Sequence, residues 1–210
     1  MTADERRRSP LAHFADAFAA AASEEVALAE RPYLAQVGVR LHPGPGAPSA
    51  AEAALGFPLP TEPGTAAGAR GTRALWLGPD EWLVVGAPGT EAALETELAE
   101  ALAGLGSVVD LSANRTAVEV TGPRARDVLA KGCALDLHPR AFGPGRCAQT
   151  LLGRAQVILD HEPPAFRLLV RGSFAAYVAT WLLGAAEEFS TARASADRRQ
   201  RSVRPTSLNV

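Results

Sequence analysis

The residues of this chain that could do chemistry are concentrated in one segment, KGCALDLHPRAFGPGRC, at positions 131–147. It contains the only lysine of the sequence, Lys131, both cysteines, Cys133 and Cys147, and also Asp136 and His138. Side chains of these types could hold a metal ion, pair a nucleophile with its base, or form a structural corner. The spacing of the residues decides between these three interpretations.

A metal site and a cysteine nucleophile are both disfavoured. Cys133 and Cys147 are 14 positions apart with only His138 between them, whereas a structural zinc takes four ligands and uses closely spaced pairs. A nucleophilic cysteine needs a base and surroundings that favour the thiolate. Cys133 follows the predicted end of a helix, where the helix dipole disfavours a negative charge. We therefore expect no catalytic, cofactor-binding or metal-binding residue in this chain.

The structural interpretation explains the same residues. From Cys133 to His138 apolar and polar positions alternate, which predicts that Cys133 faces the core as a small apolar group. Lys131 falls in the last turn of a predicted helix, where a cation can satisfy backbone carbonyls and the dipole.

Other candidate motifs lack the partners that their chemistry needs. Asp160, His161 and Glu162 stand before two prolines, and we interpret them as a solvated hairpin tip. The glycine-rich stretches at 42–46 and 143–145 lack the spacing and the lysine of a phosphate-binding loop. The three tryptophans, Trp76, Trp82 and Trp181, stand where the apolar periodicity predicts core positions. No basic residues surround them as a nucleic-acid site would require. No serine stands in a G-x-S-x-G motif.

Composition indicates a globular protein of ordinary charge. The 210 residues include 47% hydrophobic and 21% charged residues, and the net charge is −2, which favours neither nucleic acid nor an anionic membrane as a partner. Two cysteines fit a reducing compartment. The N-terminal stretch is a poor signal peptide, and no apolar run approaches the ~18 residues of a membrane span. We expect a cytoplasmic location.

The elements that must position these residues follow a repeated order. In the first half, YLAQVGVRL predicts a strand, SAAEAALG a helix closed by Gly56, RALWLGPDEWLVVG a hairpin, and Thr90 an N-cap for another helix. A proline- and glycine-rich loop is predicted before the hairpin. The hairpin is apolar on both faces, so we expect its second face to be covered by a helix of this chain or by another protein.

The second half repeats this order. RTAVEVT predicts a strand, Gly122-Pro123 opens a helix, QTLLGRAQVILD and AFRLLVRG form a hairpin, and Ser173 caps a helix. That helix should place Phe174, Tyr177, Val178, Trp181, Leu182 and Ala185 in the core. The prediction is an α+β fold, a duplicated strand–helix–hairpin–helix unit whose two sheets share one core. Its parts are an N-terminal extension (1–30) with a weak helix, the duplicated domain (31–189, halves about 31–105 and 106–189) and an arginine-rich tail (190–210).

Three ordered strings carry a family resemblance: LWLGPDEWL, the stretch from VDLSANRTAVEV to GRAQVIL, and FRLLVRGSFAAYVATWLL. Together with RSPLAH and ERPYLAQVGVR, they resemble the gamma subunit family of bacterial heterotetrameric sarcosine oxidases. The resemblance covers residues 8–189, and positions 131–150 are its most specific part. The tail lies outside it.

The resemblance implies a fold similar to the folate-binding domain of the glycine cleavage aminomethyltransferase. It implies a non-catalytic subunit of a complex that demethylates sarcosine oxidatively to glycine, with formaldehyde or methylenetetrahydrofolate and hydrogen peroxide. It places FAD, FMN, NAD and zinc in the alpha, beta and delta partner subunits and no cofactor in gamma.

The alternative is a folate-binding protein acting alone, of the aminomethyltransferase or iron–sulfur maturation type. The maturation proteins share a Lys-Gly-Cys string but continue through a Gly-Gln-Glu run, whereas here the string continues with Ala134, Leu135 and Asp136.

Overall fold

The computed structural model describes residues 8–190, which form two antiparallel sheets with helices packed on their outer faces. The helices are α1 (Ala15–Ala21), α2 (Ala47–Leu55), α3 (Glu91–Ala101), α4 (Ala125–Ala130) and α5 (Gly172–Ala186), with short 3-10 helices at Ala12–Phe14 and Glu187–Phe189. The strands are β1 (Ala27–Arg31), β2 (Ala35–Leu41), β3 (Ala66–Ala69), β4 (Thr72–Gly78), β5 (Glu81–Gly86), β6 (Gly106–Asp110), β7 (Arg115–Thr121), β8 (Cys147–Leu152), β9 (Ala155–Glu162) and β10 (Ala165–Arg171). The predicted α+β class is confirmed.

Each sheet has five strands. The first sheet has the order β3-β4-β5-β2-β6, and the second has the order β8-β9-β10-β7-β1. Two strands do not pair with the strand that follows them in sequence but belong to the other sheet. β1 precedes β2 but pairs with β7 in the second sheet, and β6 precedes β7 but pairs with β2 in the first sheet. The two sheets are therefore interlinked at their edges.

Local sequence patterns predicted most of these elements. The strand β2, the β4–β5 hairpin and the helix α2, which ends at Gly56 with a φ of 76°, are confirmed. The loop predicted before the hairpin contains β3, and neither β1 nor β6 was predicted. The predicted division at residues 30 and 105 stays a prediction, and residues 191–210 of the predicted tail lie outside the described part of the chain.

The two helix starts predicted in the second half are corrected. α4 begins at Ala125 rather than at Pro123, and Ser173 lies inside α5 instead of capping it. In α5, Phe174 and Tyr177 are 46% and 39% exposed, whereas they were predicted to be buried. Thr90 precedes α3 as expected, but its hydroxyl donates to the Ala87 carbonyl at 2.8 Å and does not cap the helix.

Apolar residues fill three layers. One layer joins α2 and α3 to the first sheet, and another joins α1, α4 and α5 to the second sheet. The third lies between the sheets and contains Leu75, Leu83, Val85, Ala117, Cys147, Ile158 and Leu169. Because strand residues alternate between faces, the β4–β5 hairpin places one face on the helices and the other on the second sheet. The second face of this hairpin is thus covered by the second sheet of the same chain, rather than by the helix or the other protein that the sequence predicted.

Candidate functional site

The segment 131–147 connects the end of α4 to the beginning of β8, and an arginine of α4 holds it in place. Arg126 donates to the backbone carbonyls of Leu137 and Phe142, the second at 3.0 Å. Its guanidinium also lies 4.7 Å from the centre of the Phe166 ring. Sequence reasoning missed Arg126, because its partners are backbone atoms of a loop and no side-chain pattern reports them.

Lys131 stabilises a helix end, but not the end of its own helix. Its ammonium group donates to the carbonyl of Ala185 in the last turn of α5 and forms an ion pair with Glu188 at 2.5 Å. It also lies 5.0 Å from the centre of the Phe189 ring. The predicted capping chemistry is present, but the prediction placed it on the wrong helix. The three contacts occupy the ammonium group in joining α4 to α5.

Cys133 is a packing residue, as the alternation predicted. It is 8% exposed, and its Sγ lies 3.9 Å from the Thr150 hydroxyl oxygen. The polar residues after it form a turn, in which Asp136 Oδ1 accepts from the His138 backbone N–H at 2.9 Å. His138 Nδ1 in turn accepts from the Arg140 N–H at 3.2 Å. The aspartate and the histidine are therefore engaged by the backbone of the loop.

Cys147 lies between the two sheets, where it is 1% exposed. Its thiol donates to the carbonyl of Thr65 at 3.1 Å and approaches that of Trp76 at 3.5 Å. Burial raises the pKa of the Cys147 thiol to about 11, and the nearby Asp160 carboxylate contributes in the same direction. The thiol stays protonated near neutral pH and is a hydrogen-bond donor rather than a nucleophile.

The interpretation of Asp160, His161 and Glu162 as a solvated hairpin tip is wrong for two of the three. Asp160 is fully buried and His161 is 7% exposed, while Glu162 is exposed. Asp160 faces the first sheet, and His161 faces the helices, where it stacks on Phe166 with 4.1 Å between ring centroids. Alternation placed the two side chains on opposite faces correctly, but both faces of the second sheet are covered at this position.

Asp160 is paired across the sheets with Arg73 of β4. The Arg73 Nε and Nη2 atoms donate to the two carboxylate oxygens of Asp160 at 2.8 Å each. The sequence signal that could have revealed this pair is a charged residue at one end of an apolar run in each of two strands, since buried charges are nearly always paired.

The pair continues into a charged cluster on the inner face of the second sheet. Glu119 accepts from Arg167 at 3.0 Å and from Arg31 at 2.7 Å. The Arg167 guanidinium also lies 3.4 Å from a carboxylate oxygen of Glu162 and 3.9 Å from one of Asp160. With three cations and three anions, the cluster is neutral and internally paired. It therefore joins the sheets and leaves no free acid or base for a reaction.

Residues 8–190 contain no group of three or more histidine, cysteine, aspartate and glutamate side chains arranged to hold a metal ion. None of their helices has the length and apolar character needed to cross a membrane.

Comparisons with known proteins agree on one family. Residues 43–188 match the sarcosine oxidase, gamma subunit family. The sarcosine oxidase subunit gamma of an Arthrobacter species is 44% identical over 189 residues, which cover 88% of this chain and 92% of that protein. The corresponding subunit of Corynebacterium sp. strain P-1 is 43% identical with the same coverage.

Solved structures give the same result. A chain of the heterotetrameric sarcosine oxidase from Corynebacterium sp. U-96, in complex with pyrrole 2-carboxylate, matches with a TM-score of 0.81 and 42% identity over 88% of this chain and 97% of that one. The glycine cleavage system aminomethyltransferase T from Bartonella henselae matches with a TM-score of 0.58 and 17% identity. That match covers 76% of this chain and 46% of the aminomethyltransferase, and it shows a similar fold only.

Proposed function

The chain belongs to the sarcosine oxidase gamma subunit family, and on this basis we propose that it is a non-catalytic, structural subunit of a heterotetrameric sarcosine oxidase. Its partners in this proposal are the alpha, beta and delta subunits. The complex demethylates sarcosine oxidatively to glycine, with formaldehyde or methylenetetrahydrofolate and hydrogen peroxide as the other products. The proposed location is the cytoplasm.

One observation carries the non-catalytic assignment. Every candidate reactive group of the segment 131–147 is engaged in packing: Lys131 on the end of α5, Cys133 in the core, and Cys147 as a donor to two carbonyls. A nucleophile would need a base within hydrogen-bond reach and a lowered pKa, and the Cys147 thiol has the opposite shift. We therefore place the chemistry, and with it FAD, FMN, NAD and zinc, in the partner subunits and no cofactor in this chain.

The proposal includes the internal duplication of the fold. The two sheets have the same strand connectivity, in which the strand next to one edge of the sheet (β2 or β7) is followed by a helix, three strands and a second helix. The strands β1 and β6 then correspond to each other as the elements exchanged between the two units. The alternative of a folate-binding protein that acts alone has only the fold-level likeness to aminomethyltransferase T in its favour.

The test is to express the alpha, beta and delta subunits with and without this chain and to assay peroxide release from sarcosine. We expect the isolated chain to release no more peroxide than a denatured control, and the chain to co-purify with the other three subunits. Peroxide release by the isolated chain would refute the non-catalytic assignment. A monodisperse chain that binds none of the other subunits would refute the assembly role.

A further inference from the structure

Two arginines face each other directly at one end of the second sheet. Arg115 on β7 and Arg171 on β10 are partners in the antiparallel register. They stand on the side of the sheet that faces the first sheet, as Ala117 does two positions after Arg115. Like charges at directly opposed positions of two strands are destabilising. The folded chain by itself therefore carries a repulsion between two cations at this position.

Arg115 is not satisfied by its surroundings. Its Nη1 atom is buried and has no hydrogen-bond partner among residues 8–190. Burial lowers the pKa of Arg115, and the charge of Arg171 lowers it further. The one acidic group that acts in the other direction is Glu81, whose carboxylate accepts from Arg40 at 2.8 Å. A buried guanidinium N–H without an acceptor costs free energy, and an anion beside the guanidinium would offset part of that cost electrostatically.

Both arginines line an open cleft of about 440 Å³ that the first sheet does not cover. Gln149 and Gln156 contribute neutral polar groups to it, and Ile158 contributes an apolar surface. No aspartate or glutamate is among the residues that line the cleft. Leu151 also lines it, on the edge strand β8, and is 49% exposed. The cleft thus combines two cations, without an acidic residue in its lining, with an exposed large apolar side chain.

We propose that the Arg115–Arg171 cleft receives an acidic side chain of a partner subunit in the assembled oxidase. A carboxylate between the two guanidinium groups would accept from their N–H groups that face the cleft and would separate the two positive charges, and charge-assisted bonds of this kind are among the strongest in proteins. Leu151 favours a protein surface as the occupant, because an exposed apolar side chain beside a charged anchor is typical of an interface that becomes covered. This inference rests on the proposed function, since it needs a partner subunit.

The decisive variant is Arg171→Glu in the full chain, co-expressed with the partner subunits. The new carboxylate would neutralise Arg115 within the chain and occupy the position of the partner's acid. We expect a melting temperature of the isolated chain equal to or above that of the wild type, together with at least a tenfold loss of affinity for the partners. Arg171→Gln, which only removes the charge, should weaken assembly less. The matched control is Arg140→Glu, which reverses an exposed arginine outside the cleft and should assemble like the wild type.

The outcomes separate this inference from the proposed function. If the wild-type chain joins no partner subunit, the proposed function fails. If the wild type assembles and Arg171→Glu assembles equally well, the docking inference is overturned. Titration of the full chain with succinate tests the alternative that the cleft binds a free carboxylate instead of a partner's side chain. Binding of succinate that is lost in Arg171→Glu, with assembly unchanged, would assign the cleft to a free carboxylate and would also overturn the inference.

Discussion

Arg73 and Asp160 form a bidentate ion pair that joins the two sheets, with two N–H donors of the guanidinium 2.8 Å from the two carboxylate oxygens. Asp160 is fully buried, and the Arg73 side chain is 13% exposed. The Asp160 carboxylate also lies 3.9 Å from Arg167, which connects it to Glu119. Because each charge has lost most of its water, removing one member should cost far more than removing both.

The first prediction is that Asp160→Asn lowers the free energy of unfolding by about 3–5 kcal/mol, because it leaves the largely buried Arg73 cation without its main partner. Urea-induced unfolding measures the loss. Glu162→Gln is the control, since Glu162 is exposed and its contacts with Arg73 and Arg167 are long, at 4.0 and 3.4 Å, and it should cost less than about 1 kcal/mol.

The double variant Arg73→Met/Asp160→Leu extends the same test. It removes both charges from the layer between the sheets, so it should regain a large part of the stability that Asp160→Asn loses. A loss below about 1 kcal/mol in Asp160→Asn would mean that the pair contributes as little as an exposed one.

The second prediction concerns the thiol of Cys147, whose pKa is raised to about 11 by burial. The folded state therefore holds the proton more tightly than the unfolded state. Its contribution is complete below the unfolded pKa near 9 and is lost as the pH rises through 11. A shift of this size amounts to about 2–3 kcal/mol.

Unfolding curves between pH 8 and 11 measure this effect. Wild type should lose more stability over that range than Cys147→Ala, which has no thiol to titrate. Alkylation by iodoacetamide at pH 8 should leave Cys147 unmodified in the folded chain and modify it in urea. Parallel curves for the two proteins would show that the thiol is not coupled to folding.

The third prediction uses two glycines with opposite surroundings. A methyl group at Gly132, directly after Lys131, would overlap the ring of Trp181. Gly132→Ala should therefore destabilise the chain by about 1–3 kcal/mol through overpacking. Gly184 lies inside α5, and a methyl group there would meet no atom within 4 Å apart from its chain neighbours and the nearby backbone of its own helix. Gly184→Ala should stabilise the chain by about 0.5–1 kcal/mol. Thermal melting of both variants checks the pair, and effects of the same sign would contradict it.

The fourth prediction is that Lys131→Met lowers stability by about 1–2 kcal/mol, because the Ala185 carbonyl and Glu188 lose their cation at the end of α5. The methionine keeps most of the side-chain volume, so the change reports the charge. Arg140→Met, at an exposed turn, is the control and should change stability by less than about 0.5 kcal/mol. If Lys131→Met were as stable as the wild type, the Lys131 contacts would contribute nothing measurable to stability.

The fifth prediction is that Cys133→Ala leaves the turnover of the assembled oxidase unchanged while lowering the stability of this subunit by about 1–3 kcal/mol. The reason is that Cys133 is buried among apolar side chains. Steady-state peroxide release and a thermal melt of the same preparation separate the two effects. Lost turnover at an unchanged melting temperature would give Cys133 a chemical role.

Much of the local structure follows from the sequence. The predicted alternation, with Cys133 and Leu137 inward and His138 outward, is observed. The reason is that the side-chain direction repeats every two residues in a strand or an extended loop. The end of α2 at Gly56 is observed for a similar reason, since its positive φ of 76° suits glycine. Such features depend on residues that are adjacent in sequence, so they can be predicted from the sequence alone.

Only the tertiary structure decided which faces are covered and which distant groups meet. The sequence pattern could not show that β1 pairs with β7 and β6 with β2, nor that Lys131 reaches the end of α5. It could not show that Asp160 is buried while Phe174 is exposed. In each case the environment of a residue is set by an element tens of positions away. A periodic pattern predicts on which face of a strand or helix a residue lies. The packing of one layer on another determines whether that face meets water, an apolar layer or an opposite charge.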